Sequence, residues 1–392
     1  MVSYISASYV HMLNGPPLKN GVLGLLPDGT IDAVLTADEA RDQQIAEIKQ
    51  YEGILVPGFV NTHCHLELSH LRGSIAQHTG LPQFVQTVMK MRTSDEYAID
   101  LAMLRADIEM FENGIVAVAD ISNQLVSKSA KTGSPTYYHT FIETMGFNPA
   151  TAKASIGRAI EFRDQFNDQP VSIAPHAPYS VSAELFQEIK RIAEETDALV
   201  SIHNQETADE NLFFEHKEGA FLGLYEFLGL DIGFYQPSGK TSLQSILPFL
   251  SPRQKTLLVH NTFTTKEDVC IAESTHDQLY WCLCPNANLY IENRLPDVNM
   301  LREAGLRITL GTDSLASNSR LSIFAEMQTL SKHFAVPLDE LIRWATINGA
   351  AFLGITERYG SLAIGKRPGI NLIGFTETNG MLVLGDWMKR LF

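Results

Sequence analysis

Positive charge is scarce in this 392-residue chain: 30 Lys and Arg stand against 45 Asp and Glu, a net charge of −15. So acidic a balance argues against non-specific nucleic-acid binding, which needs clustered cations, and against reading anionic membrane surfaces. Long apolar runs are also missing. None approaches the roughly 18 residues of a membrane helix. The opening MVSYISASYVHML lacks the basic n-region and apolar h-region of a secretory signal. Cysteine is sparse. Cys64, Cys270, Cys282 and Cys284 are too few for a disulfide framework, and a reducing cytoplasm is the expected setting. Repeats of solenoid length and low-complexity tracts are absent as well. What is present is a globular balance, 45% hydrophobic and 19% charged, which excludes a disordered chain.

The first fifty or so residues read as short strands. NGVLGLLPDGTIDAV has the form of a hairpin, with Pro-Asp-Gly-Thr at its turn. From GILVPGFVNTH onward the pattern changes to short apolar runs alternating with segments of helical period. The runs are FVNTHCH, GIVAVADIS, TYYHTFIE, VSIAPH, ALVSIH, TLLVH, YWCLCP and LRITLGTD. Such runs suit strands buried on both faces of a parallel sheet. Between them, SAELFQEIKRIAEETD repeats its apolar residues at three- and four-residue steps. Eight alternations over about 300 residues argue an α/β fold, a (β/α)8 TIM barrel. A doubly wound sheet is second, because no glycine-rich turn follows the first run. The tail, GSLAIGKRPGINLIGF and MLVLGDW, returns to strand-like text. It is expected to join the N-terminal strands in a small β-sandwich. The boundaries expected are 1–56 and 357–392 for that module and 57–356 for the barrel.

Metal-capable side chains fall at the ends of these runs. His63 and His65 are two residues apart, so both can face one ion from a strand. His176, His203, His260 and Asp313 close the fourth, fifth, sixth and eighth runs. A barrel brings such ends to one mouth. A lone histidine is more often a packing residue; one at most strand ends argues for a metal.

PGFVNTHCHLE, SIHNQET, LLVHNT and TLGTDSLASN resemble the amidohydrolase superfamily, in its branch of cytosine, guanine and S-adenosylhomocysteine deaminases and chlorohydrolases. The resemblance covers nearly the whole chain. It departs at Asn371, where many relatives carry Asp. It implies one divalent metal, zinc first and Fe(II) second, held by His63, His65, His203 and Asp313. His176 stands where a bridging lysine would be needed for two metals, which favours a mononuclear centre. The resemblance further implies that Glu206 moves a proton between the attacking water and a ring nitrogen. His260 has two readings, a core histidine or, preferred, a hydrogen bond to that water, and Asp313, at the metal, is expected to accept the water's proton. His176 has two readings, substrate contact or support. Glu67 also has two, ribose contact or orientation of His65. Asn318 is taken as a further substrate contact. Cys64 reads as structural, and Cys282-Leu283-Cys284-Pro285 does not complete the P-C-x-x-C of zinc cytidine deaminases.

THCHLELSHLRG and CPNANLYIENRLPDV resemble 6-aminodeoxyfutalosine deaminases of the alternative menaquinone route. That substrate is an adenine nucleoside with a carboxyphenyl-ketone arm. Arg72 and Arg294, each after a strand end, are candidate anchors for the carboxylate. The expected partner is thus a small molecule; a homodimer is compatible with the sequence. The alternatives are S-adenosylhomocysteine or 5′-methylthioadenosine deamination, a chlorohydrolase-type reaction, and a non-catalytic binding protein, which should have lost a ligand or the proton shuttle. Asp313, Glu206 and the histidines are all present.

Overall fold

The computed structural model describes residues 2–13, 15–166 and 169–392. Five strands precede the helical part: β1 (Ser3–Val10), β2 (Leu18–Lys19), β3 (Val22–Leu25), β4 (Ile31–Leu35) and β5 (Ile48–Pro57). The expected hairpin is β3–β4, antiparallel, closed by the Gly29 N–H donating to the Leu26 carbonyl at 2.9 Å.

The eight apolar runs become β6 (Phe59–Cys64), β7 (Ile115–Ser122), β8 (Tyr137–Thr144), β9 (Val171–Pro175), β10 (Val200–Asn204), β11 (Thr256–His260), β12 (Leu279–Leu283) and β13 (Ile308–Leu310). They form two four-stranded parallel sheets, β6-β7-β8-β9 and β10-β11-β12-β13. These strands are buried almost throughout, because both faces are covered by apolar layers. Val60, Ala119, Phe141, Ala174, Leu257 and Val259 pack together on one side. Val118, Ile142, Ile173, Ile202, Leu258 and Trp281 pack on the other, with helical residues such as Met103, Ile189 and Leu341. The alternation of side chains along each strand produces this division.

The two sheets touch at two seams. Between β9 and β10, the His203 N–H donates to the His176 carbonyl at 3.0 Å. Between β6 and β13, Thr312 and Asp313 donate N–H bonds to the His63 carbonyl at 3.0 and 3.1 Å, beside a parallel bridge of Cys64 with Asp313. Gly311 makes the second approach possible. A Cβ there would lie 2.7 Å from the His63 Cβ and 2.8 Å from the Cys282 sulfur.

The helices between strands are capped by local side chains. Ser182 accepts the Leu185 N–H at the start of Ala183–Thr196, and Thr265 with Asp268 forms a capping box for Lys266–Thr275. Among the described residues, no helix is long and apolar enough to cross a membrane.

Two last strands, β14 (Ile370–Thr378) and β15 (Met381–Arg390), join the N-terminal ones in a seven-stranded sheet. Its order is β15-β14-β5-β1-β3-β4, with β2 on β1. Asn371 is buried at this junction and donates to the Gly114 carbonyl at 2.9 Å, just before β7.

Candidate functional site

The C-terminal ends of the parallel strands bring the predicted imidazoles together. Ring centroids of His63 lie 4.9 Å from His65, 4.8 Å from His203 and 5.6 Å from His260. His176 stands 4.9 Å from His203. Asp313 Oδ1 lies 3.5 Å from His63 Nε2 and 3.6 Å from His65 Nε2. Strand β6 supplies His63, and His65 follows its last residue. Strands β10 and β11 supply His203 and His260. Two of these positions are backbone exceptions: His260 has φ +76° and Asp313 φ +56°. Bulky residues avoid this region, and such outliers gather where function over-determines the geometry.

The donor set fits a divalent cation. Neither ring nitrogen of buried His63 has a hydrogen-bond partner among the described residues. His203 Nδ1 donates to the His176 carbonyl at 2.7 Å, so a neutral ring leaves its Nε2 lone pair for the cluster. That Nε2 faces His65 Nε2 at 3.2 Å. The potential ligand atoms of His63, His65 and Asp313 all lie within 4.8 Å of one another, as do those of His63, His203 and His260. Burial, then neighbouring imidazoles, pushes His65 down to about 3 and His203 well below the ordinary histidine value. Burial also lowers His260 and His176, each to about 4. The rings are thus neutral, the form that a metal needs. Burial opposes ionisation of Asp313, but His63, His65 and His260 hold it well below the usual carboxylate range. The Ser317 hydroxyl donates to its Oδ2 at 2.5 Å.

Glu206 Oε1 lies 3.6 Å from His260 Nε2. Burial, reinforced by Asp313 and Glu210, holds the Glu206 carboxyl well above the usual range. Shifts of this kind, from burial and a neighbouring carboxylate, cluster at functional sites. The Glu206 backbone is pinned by Glu210, which accepts the N–H groups of Gln205 and Glu206 at 3.0 and 3.3 Å. His260 is oriented from behind by Nδ1 donating to Asn288 Oδ1 at 2.8 Å.

His65, His176, His203, Glu206, His260 and Asp313 line one cavity, whose outer wall is apolar: Leu68, Leu81, Phe84, Val85, Val88, Met89 and Met145. Four expected substrate contacts do not line it. Arg72 is half-exposed and paired with Glu109. Arg294 stacks on Phe263, 4.5 Å from its ring centroid. Asn318 is buried and donates to the Thr312 carbonyl and to Glu326, both at 2.9 Å, bracing the loop after β13. Glu67 lies behind the wall and orients other groups than His65: it accepts from Arg92 at 3.2 Å and from the Asn123 N–H at 3.0 Å.

Polar lining residues beyond the expected ones are Arg92, Asn123, Glu143, Tyr179 and Ser314. Glu143 sits near the end of β8, a strand-end position like those of the histidines. Its Oε2 accepts from Asn123 at 2.8 Å, and its buried Oε1 has no hydrogen-bond partner among the described residues. Burial pushes both Glu67 and Glu143 up to about 7. Arg92 ends the helix Leu81–Met91, where strand-end counting does not look.

The model of the amidohydrolase family matches residues 54–387. An adenosine deaminase of Helicobacter pylori is 26% identical over 359 residues, which cover 86% of each chain. A 5-methylthioadenosine/S-adenosylhomocysteine deaminase of Teredinibacter turnerae is 28% identical over 365 residues, 88% of this chain and 77% of that one. The crystal structure of Helicobacter pylori aminofutalosine deaminase in complex with methylthio-coformycin aligns with a TM-score of 0.79 at 24% identity, over 96% of this chain and 93% of that one.

Proposed function

Since the chain belongs to the amidohydrolase family, hydrolases of C–N bonds, we propose that it is a metal-dependent deaminase of an aminated purine nucleoside, with 6-aminodeoxyfutalosine as substrate. The observation that carries this reading is the pairing, in one buried cavity, of an imidazole–carboxylate cluster with the raised carboxyl of Glu206. The eight parallel strands are read as a closed (β/α)8 barrel and the terminal sheet as part of a β-sandwich. A cytoplasmic enzyme with a small-molecule partner fits this assignment.

His63, His65, His203 and Asp313 would hold one divalent ion, zinc or Fe(II), which when bound supplies the acidification of a water molecule from 15.7 toward about 7. Asp313 Oδ1 accepts the proton from that water, with His260 Nε2 holding the water by a hydrogen bond. As water oxygen bonds to the amino-bearing ring carbon, Glu206 gives its proton to the adjacent ring nitrogen and draws charge from that carbon. Asp313 returns its proton to the amino group, the C–N bond breaks and ammonia leaves, while the remaining hydroxyl proton passes to Glu206, giving the ring carbonyl and restoring the acid. The apolar wall excludes water and receives the ribose substituent, with Arg92 placed to meet an arm ending in a carboxylate.

Ammonia release from a panel of adenine nucleosides tests the assignment. The expected order places 6-aminodeoxyfutalosine above adenosine, 5′-methylthioadenosine and S-adenosylhomocysteine in kcat/KM. A preference for one of the latter three removes the narrower substrate and keeps the deaminase. Release of chloride from a chlorinated ring, with no ammonia from any nucleoside, removes the deaminase as well.

A further inference from the structure

A second cavity, of about 260 Å³, lies at the opposite ends of the strands, where Val116 is the second residue of β7 and Thr136 precedes β8. Its lining includes Arg358, Arg367 and Arg390, with Tyr359 and Phe111 between them. The Arg390 guanidinium lies 3.7 Å from the Phe111 ring centroid and donates to the Phe111 and Ile115 carbonyls at 3.1 and 3.2 Å. The Arg358 guanidinium stands 5.1 Å from the Tyr359 ring centroid. All three guanidiniums line this one cavity and lie within electrostatic reach of the Tyr359 hydroxyl.

This grouping runs against the charge of the molecule. Other arginines here find acids: Arg92 pairs with Glu67, Arg191 with Glu188 and Glu195, Arg302 with Glu340. Among the described residues, no ion pair involves any of these three, and Arg358 and Arg367 make no side-chain hydrogen bond. Exposed Asp28 beside Arg367 is an acid within electrostatic reach. An anion bound among the three arginines would be attracted by all three charges. Burial lowers Arg390 to about 10, a loss that a bound anion would offset.

We propose that this cavity binds a small anion bearing a phosphate group. Guanidinium forks match phosphate oxygens with paired hydrogen bonds. Three of them, two on the connection before β14 and one on β15, suit a group with three acceptor oxygens and more than one negative charge better than they suit a monocarboxylate. The ligand would tie the turn at Asp28, the segment 358–369 and β15 to the strand ends, away from the catalytic cavity.

Calorimetric titration of the full-length, metal-loaded protein at constant ionic strength tests this, with inorganic phosphate and pyrophosphate as probes and citrate and acetate as controls. The expected result is saturable one-to-one binding of phosphate or pyrophosphate, at least tenfold tighter than either carboxylate. Arg358→Gln and Arg367→Gln should each weaken it tenfold or more, with unchanged melting curves in anion-free buffer and unchanged deamination kcat. Both side chains are exposed, so these variants should fold where Arg390→Gln need not. No saturable binding of either phosphate probe, binding untouched in the double variant, or citrate bound as tightly would each overturn the proposal.

Discussion

In the proposed reaction Glu206 carries the proton and Arg92 meets the arm, and both line the same cavity. Replacing Glu206 by Gln keeps shape and removes the carried proton. The expected loss in kcat is about 10²–10⁴, the span of a positioned acid–base group, with metal content per chain unchanged by atomic absorption. Near-normal turnover would remove Glu206 from its role. Arg92 is held by Glu67 in the free protein. Because burial raises Glu67 to about 7, that hold weakens near neutrality and a substrate carboxylate can replace it. Arg92→Met should therefore raise KM for 6-aminodeoxyfutalosine about tenfold or more, about 1.4 kcal/mol, and leave KM for adenosine nearly unchanged. Equal changes for both substrates would show that Arg92 does not meet the arm. The sequence revealed His63, His65, His203, His260 and Asp313 because each lies at or beside a strand end. Following a strand end also brings Arg72 and Arg294 near the mouth, but they pair with Glu109 and Phe263 and do not line the cavity.

At the scale of elements, a buried ion pair fixes the segment that carries His65. Lys131 Nζ lies 2.6 Å from Asp120 Oδ2, both side chains fully buried, and also donates to Ser122 and Thr140 at 2.9 and 3.0 Å. Asp120 Oδ1 in turn accepts the Leu66 N–H at 2.8 Å, one residue beyond His65. Removing one partner of such a pair strands the other charge. Lys131→Met should cost about 3–5 kcal/mol in urea unfolding and loosen the metal; a loss below about 1 kcal/mol would contradict the role. This support was not legible in advance. Lys131 lies on a short helix with no apolar period, and its partner becomes visible only when β7 sits beside β6. The eight parallel strands were legible, because burial on both faces writes continuous apolar runs. So was the β3–β4 hairpin, whose turn residues stand between two such runs.

Across the whole molecule, burial of histidine sets the response to acid. His139 is buried on β8 against Ser172, and burial lowers it to about 4. In the unfolded chain it titrates near 6.5. As pH falls from 6.5 toward 4, the unfolded state takes a proton that the folded state refuses, so stability is lost on acidification at up to about 1.4 kcal/mol per pH unit. His139→Gln should flatten that limb in denaturant unfolding measured from pH 7 to pH 4; an unchanged slope would contradict the assignment. Both chain ends meet in one sheet beside the parallel strands, and the tail's strand-like text foretold that pairing. The long span between the ends left the strand order open.

The central claim is one ion, held by residues from distant strands, serving one deamination. Its most direct test strips the protein with a chelator and restores zinc stepwise while ammonia release from an aminated purine nucleoside is recorded. Activity should be lost on stripping and return linearly, ending at one ion per chain. Full activity in the metal-free protein, or a return that ends only at two ions per chain, would contradict it.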